Sequence, residues 1–143
     1  LTTSNYTVSL PSGRKVVGTY KPTIKLKGNY SGTKTVSFKV DPKGTSLKTL
    51  KKAKKAATVK WKKQSSKMSN ARITGYQILL ATDKQFTKNK KTVNVKGYSK
   101  VSRKVTKLRG GKKYYVKIRT YKTIGKTKYY SPWSKVKTVT TKK

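Results

Sequence analysis

Acid–base and nucleophilic chemistry near neutral pH draws on His, Glu, Asp, Cys or a tuned Lys. This chain has no His, no Cys and no Glu, and its only carboxylate side chains are Asp41 and Asp83. Two acids far apart in sequence supply neither a general acid–base pair nor the base of a nucleophile triad. They supply no metal-ligand set either, so neither a metal nor any other cofactor is expected. Gly125-Lys126-Thr127 has the look of the end of a phosphate loop. Position 120 is Thr where that motif needs Gly, however, and no strand–loop–helix pattern surrounds it. Asp41 and Asp83 read as turn formers or charge partners, and an enzyme is not expected.

The chemistry that remains is cationic. Lys and Arg total 39 against 2 acidic residues, a formal net charge of +37. Single lysines on a solvated face are ordinary, but a soluble surface normally intersperses both signs. An ensemble this one-sided opposes compaction and favours polyanions. Lys outnumbers Arg by 34 to 5, which suits point contacts to phosphate or carboxylate better than base readout. Lys51, Lys52, Lys54 and Lys55 form one cluster, and Lys88, Lys90 and Lys91 another. The residues expected to hold a polyanion are Lys60, Lys62, Lys112, Lys113, Lys117, Arg119, Lys135 and Lys137. Aromatics lie among them. Tyr115 and Tyr121 share the parity of Lys117 and Arg119, and Tyr129 and Tyr130 follow across the next turn, near Trp133. Such rings either pack across strands or present a stacking platform for sugars or bases.

Strands must position these groups. From Leu108 to Thr120, Val116, Ile118 and Thr120 alternate with Tyr115, Lys117 and Arg119, so one set faces a core and the other faces water. Similar alternation marks Ala57, Val59 and Trp61; Tyr76, Ile78 and Leu80; and Val93 with Val95 on a short edge strand. Leu47 and Leu50 begin the series, and Val136 and Val139 end it. No segment sustains a helical period. Seven short strands at this spacing predict an all-β sandwich. Arg103 shares the inward parity of Val101 and Val105, which calls for either snorkelling at a strand end or a bulge. Residues 1–41 carry three further strand-like runs, around Tyr6–Leu10, Tyr20–Leu26 and Val36–Val40, with Pro22 marking an edge or bulge. Three short strands bury little, so this segment is expected to be incomplete by itself. Residues 42–44 read as a linker. No apolar run approaches the ~18 residues of a membrane span.

Trp61 in Thr-Val-Lys-Trp, Tyr76 in Ile-Thr-Gly-Tyr-Gln-Ile, Leu108 six residues before Tyr114, and Ser131-Pro132-Trp133-Ser134 together make residues 45–143 resemble a fibronectin type III domain. Gly28-Asn29-Tyr30-Ser31-Gly32 and the Thr-rich strand after it are similar to the end of a bacterial immunoglobulin-like repeat, which would make residues 1–41 a partial module of that kind. The resemblance implies a module of a Gram-positive cell-surface or secreted protein, located extracellularly, on the surface or in the wall. It also implies catalytic or adhesive neighbours elsewhere in a larger protein, of which this chain would be a monomeric fragment. The functional expectation is a non-catalytic cationic spacer that binds an anionic wall polymer such as teichoic acid, or an acidic host glycan. The alternatives are a nucleic-acid-binding basic protein and the appended domain of a wall-directed or glycan-directed enzyme. Non-specific nucleic-acid binding in vitro is expected from charge alone, although no helix-turn-helix, zinc-finger or RNA-binding sheet motif is present.

Overall fold

The computed structural model describes residues 3–68 and 71–143. It contains one short 3-10 turn, Thr3–Asn5, and thirteen strands: β1 Tyr6–Ser9, β2 Gly18–Tyr20, β3 Thr23–Leu26, β4 Thr33–Thr35, β5 Phe38–Val40, β6 Leu47–Ala53, β7 Ala56–Trp61, β8 Gly75–Ala81, β9 Lys91–Lys96, β10 Ser102–Val105, β11 Lys113–Ile124, β12 Thr127–Tyr130 and β13 Lys137–Thr140. The fold is all-β, and the chain divides into two compact units, Leu1–Asp41 and Pro42–Lys143.

In the first unit β2 pairs with β5 and β3 with β4, and both pairs keep one register, with Tyr20 opposite Phe38 and Thr23 opposite Thr35. They are two halves of a single hairpin, interrupted where Pro22 has no N–H to give. Across the gap the Val36 N–H still donates to the Pro22 carbonyl, 3.1 Å. β1 adds to the free side of β3. The packing centre is small. Tyr20 and Phe38 stack at 5.5 Å between centroids, Val17 is buried, and Val8, Leu10 and Val36 are exposed. Val8 and Leu10, which share the parity of half-buried Tyr6, therefore stay outside that centre.

The second unit is a two-layer sandwich. One sheet has the order β10-β7-β6; the other runs β12-β11-β8-β9, with β13 also pairing β11. Ala57, Val59, Trp61 and Val105 from the first sheet meet Tyr76, Ile78, Leu80, Tyr114, Val116, Ile118 and Val139 from the second in one buried cluster. Leu47 and Leu50 are three apart, a spacing that regular pleating would send to opposite faces. A register shift between them gives two residues of β6 to one of β7, so Leu47 lies opposite Trp61 and Leu50 opposite Val59. This is a β-bulge, and it lets both leucines turn inward. Arg103 needs no such device. Its strand keeps a regular register against β7, with Arg103 opposite Val59. The side chain is exposed because β10 lies at the sheet edge.

Two tyrosine hydroxyls lock the sandwich at opposite ends. The Arg109 N–H donates to Tyr114 Oη at 3.0 Å, holding the turn before β11 against the strand, and Leu108 is buried beneath it. Tyr76 Oη donates to the Tyr98 carbonyl at 2.6 Å and accepts the Gln64 N–H at 2.9 Å. Burial pushes the Tyr76 phenol up, against the lowering effect of the Gln64 N–H. Trp61 Nε1 is the one buried side-chain polar atom left without a hydrogen-bond partner among the described residues.

Candidate functional site

Because the pleat alternates, the residues of β11 that do not enter the core stand on the outer face of the five-stranded sheet. Its burial follows that alternation closely: Tyr114, Val116, Ile118 and Thr120 are buried, and Tyr115, Lys117 and Arg119 are half-buried. The outer set is thus less wet than the sequence pattern implies, because aromatic rings cover it. Lys117 Nζ lies 4.0 Å from the centre of the Phe86 ring and 4.9 Å from that of Trp133. The Arg119 guanidinium lies 4.3 Å from Trp133 and 3.7 Å from Tyr130. Trp133 therefore touches both cations, with Phe86 and Tyr130 as the outer rungs of the stack. Arg119 Nε also donates to Gln77 Oε1 at 2.8 Å, and Gln77 Nε2 donates to Asn94 Oδ1 at 3.0 Å. Burial draws the Arg119 guanidinium below its usual value, against the opposing influence of Tyr130.

Loops supply two of the rungs. The Asp83 carboxylate accepts the Thr87 N–H, the Thr87 hydroxyl and the Lys88 N–H, at 2.7–3.2 Å. This closes a turn in which Phe86 takes a left-handed backbone conformation, φ 59°, and is buried. Burial tends to raise the Asp83 carboxyl, but the hydrogen bonds from Lys88 and Thr87 outweigh it and hold the group below its usual value. Trp133 comes from the irregular segment between β12 and β13. Ser131 Oγ accepts the Thr120 N–H at 3.0 Å, and Ser134 Oγ accepts the Ile118 N–H at 3.1 Å. These two serines replace the missing ladder bonds on either side of Trp133. Phe86 is absent from the aromatics that the sequence singles out, and Trp133 enters there only as a neighbour of Tyr129 and Tyr130. A loop aromatic at a left-handed position and a Trp in a Ser/Pro segment carry no period from which facing can be read.

The four candidate stacking tyrosines separate. Tyr121 is buried, not wet. It stands opposite Gly75 and Tyr130, so its ring spreads over the glycine and under its neighbour. A Cβ at Gly75 would meet the Val95 carbonyl oxygen far inside contact distance and the Tyr121 hydroxyl at 3.0 Å. Burial, then the adjacent Tyr130, pushes the Tyr121 phenol up. Tyr130 is a rung of the stack. Tyr129 stands opposite Lys122, one residue out of phase with Tyr130. Tyr115 stays half-exposed with Lys113 Nζ 5.6 Å from its ring centre. It lines a shallow cleft of about 320 Å³ with Lys84, Val136 and Thr138.

The eight cations expected to act together are likewise spread out. Lys60 and Lys62 share the parity of β7 that points away from the core, on the outer face of the three-stranded sheet. Thr58, Lys51 and Lys104 line up across the three strands there, with Ser102 opposite Lys60. Among the described residues, the ammonium groups of Lys51, Lys60, Lys62 and Lys104 make no hydrogen bond or ring contact. Lys117 and Arg119 occupy the opposite outer face, on rings. Lys112 lies in the turn before β11 and Lys113 at its start; Lys135 is exposed ahead of β13. Lys137 Nζ donates to the Lys48 carbonyl at 2.7 Å, reaching the β6 bulge. Gly125-Lys126-Thr127 is the tight turn between β11 and β12, with Gly125 at φ 57°, and not a phosphate loop. Of the polar loop at 65–70, Ser69 and Asn70 lie outside the described residues.

No curated protein matches the sequence. Among solved structures, the chain is similar to the fn3 domain of human contactin 1, with TM-score 0.55, 20% identity, and 71% of this chain and 78% of that one covered. It is similar to the chicken CNTN1 FN1-FN3 domains, with TM-score 0.57, 20% identity, and 89% and 43% covered. A structure described as a myokine aligns with TM-score 0.53, 15% identity, and 73% and 100% covered. At these identities the likeness is one of fold. Residues 41–137 match the family model of the fibronectin type III domain, and with that span covering most of the chain, the protein belongs to the fibronectin type III family.

Proposed function

We propose that this chain is a non-catalytic, cationic spacer module of a secreted or wall-associated bacterial protein, and that it binds anionic polymer through many weak lysine contacts. Fibronectin type III domains are generally binding or spacer modules, and such modules are common in extracellular proteins. The observation that carries the proposal is the difference between the two outer faces. On the outer face of the five-stranded sheet Lys117 and Arg119 are held on aromatic rings, whereas Lys51, Lys60, Lys62 and Lys104 extend from a Thr/Ser-lined face without partners. Partnerless ammonium groups on a rigid sheet lose little on meeting a phosphate or carboxylate, and their contacts add through multivalency. Lys112, Lys113 and Lys135 extend the cationic surface beyond that face. Teichoic acid and acidic glycan are the polymers this surface suits, and the outlying segment 1–41 is read as the end of an immunoglobulin-like repeat.

The stacking platform receives less support. Of the four rings, Tyr121 is buried and Tyr130 is engaged by Arg119, while Tyr115 stays half-exposed beside a shallow cleft. The test is retention on purified Gram-positive wall across a salt gradient, before and after teichoic acid is stripped. Retention that falls steeply with salt and falls again on stripping supports the reading. Retention indifferent to both overturns it.

A further inference from the structure

One end of the sandwich gathers cations more tightly than either face. The β6–β7 turn brings Lys54 and Lys55, the turn before β11 brings Lys107, Arg109 and Lys112, and the C-terminus brings Lys142 and Lys143, all exposed. Backbone bonds join these three segments into one platform. The Lys55 N–H donates to the Lys142 carbonyl at 3.1 Å, Lys142 N–H to Ala53 at 3.0 Å, and Leu108 N–H to the Lys55 carbonyl at 2.8 Å. Thr141 Oγ1 donates to the Arg109 carbonyl at 2.6 Å and accepts the Lys112 N–H at 3.2 Å. Gly110 packs so closely that a Cβ there would meet Lys143 Cα at 3.1 Å. Like charges are thus brought side by side, with no acidic side chain in any of the three segments.

Two of these lysines stand where another residue would be cheaper. Lys55 has φ 46° and Lys107 φ 56°. That left-handed conformation is costly for a side chain with a Cβ and suits Gly or Asn. Both occur at this end, and one hydrogen bond separates their segments. Strain retained at a charged cluster points to a use for the charge. The platform also presents no aromatic ring for a base to stack on, since Tyr114 is buried beneath it. Single-stranded nucleic acid takes much of its affinity from such stacking.

From this convergence we infer that the pole formed by Lys54–Lys55, Lys107–Lys112 and Lys142–Lys143 is a dedicated site for a phosphate-repeat polymer without bases. The inference rests on the proposed polyanion-binding function and assigns it a place and a ligand class. The site holds successive phosphates at fixed spacing, and the rest of the surface adds unspecific attraction.

The experiment titrates the whole chain with inorganic polyphosphate at physiological salt. It compares Lys55→Gly/Lys107→Gly with the charge-matched Lys60→Gln/Lys62→Gln. The expected result is a loss of affinity at least threefold larger for the pole pair, with a melting temperature unchanged or raised. If the glycines loosen the turns, Lys55→Asn/Lys107→Asn keeps the left-handed backbone and is read in their place. Equal losses in both pairs overturn the pole and leave diffuse polyanion binding standing. No binding of polyphosphate by the unaltered chain overturns both. An oligonucleotide of equal charge that binds more tightly than polyphosphate overturns the choice of a base-free ligand.

Discussion

Gly75 and Tyr121 face each other across β8 and β11, and the missing Cβ of Gly75 is what lets the phenol lie against the sheet. Gly75→Ala forces the Val95 carbonyl aside at the end of the β8–β9 ladder. The expected cost is about 2–3 kcal/mol, the upper range for overpacking, and thermal or denaturant unfolding measures it. From sequence, Tyr121 has the right parity but the wrong exposure, because parity says which face a residue takes and not what lies over it. Trp61, Tyr76 and Tyr114 were legible as core, since large aromatics on the inward parity of three strands have nowhere else to go. The Asp83 carboxyl is held below its usual value by its hydrogen bonds, and that sign fixes a pH dependence. Its folded pKa lies below the ordinary value, so the stability it contributes is present above about pH 4 and lost as pH falls through the lowered value. Asp83→Asn is therefore expected to flatten the acid limb of a melting-temperature profile while leaving neutral pH little changed. An acid limb identical in the variant would contradict this.

The element that matters most is β11 with the irregular segment 131–136 laid beside it. Two serine hydroxyls accept the strand's N–H groups there, and Trp133 sits between Lys117 and Arg119. Cation–π contacts run from about 0.5 to 2 kcal/mol each, depending on desolvation. Trp133→Ala is expected to destabilise the sandwich by about 2–4 kcal/mol, in the range for losing a large aromatic. A double-mutant cycle of Trp133→Ala with Arg119→Met should show a coupling of about 1 kcal/mol. Zero coupling would mean that the stack is only proximity. The strand itself was readable from Leu108 to Thr120, because period-two alternation is a strong signal. The stack was not, because two of its rungs, Phe86 and Trp133, come from a loop and from a strand break. The β6 bulge was hidden in the same way: two leucines three apart suggest either helix or strand until a pairing partner fixes the register.

At the scale of the whole molecule, nothing except the chain terminus has an ordinary pKa between the carboxylates and the phenols. Buried Tyr76 and Tyr121 are pushed further up. Apart from that terminal amine, no group titrates in the His range, so polymer affinity at fixed salt is expected to change little between about pH 5 and 7; a His-like inflection near pH 6.5 would contradict it. Charge and fold class were plain in composition and period. Which cations are available was not, because availability depends on the rings and carbonyls that each side chain reaches. On the proposed reading, exposed lysines bind polymer while the ring-held cations stabilise the sheet. The most direct test is the slope of log affinity against log salt for a teichoic-type phosphate polymer, measured for two charge-matched variants. Lys60→Gln/Lys62→Gln is predicted to reduce the slope, by up to about 0.7 per lost phosphate contact, with the melting temperature unchanged. Lys117→Gln/Arg119→Gln is predicted to lower the melting temperature and leave the slope near that of the unaltered chain. A slope that falls for the second pair and not for the first would contradict the account.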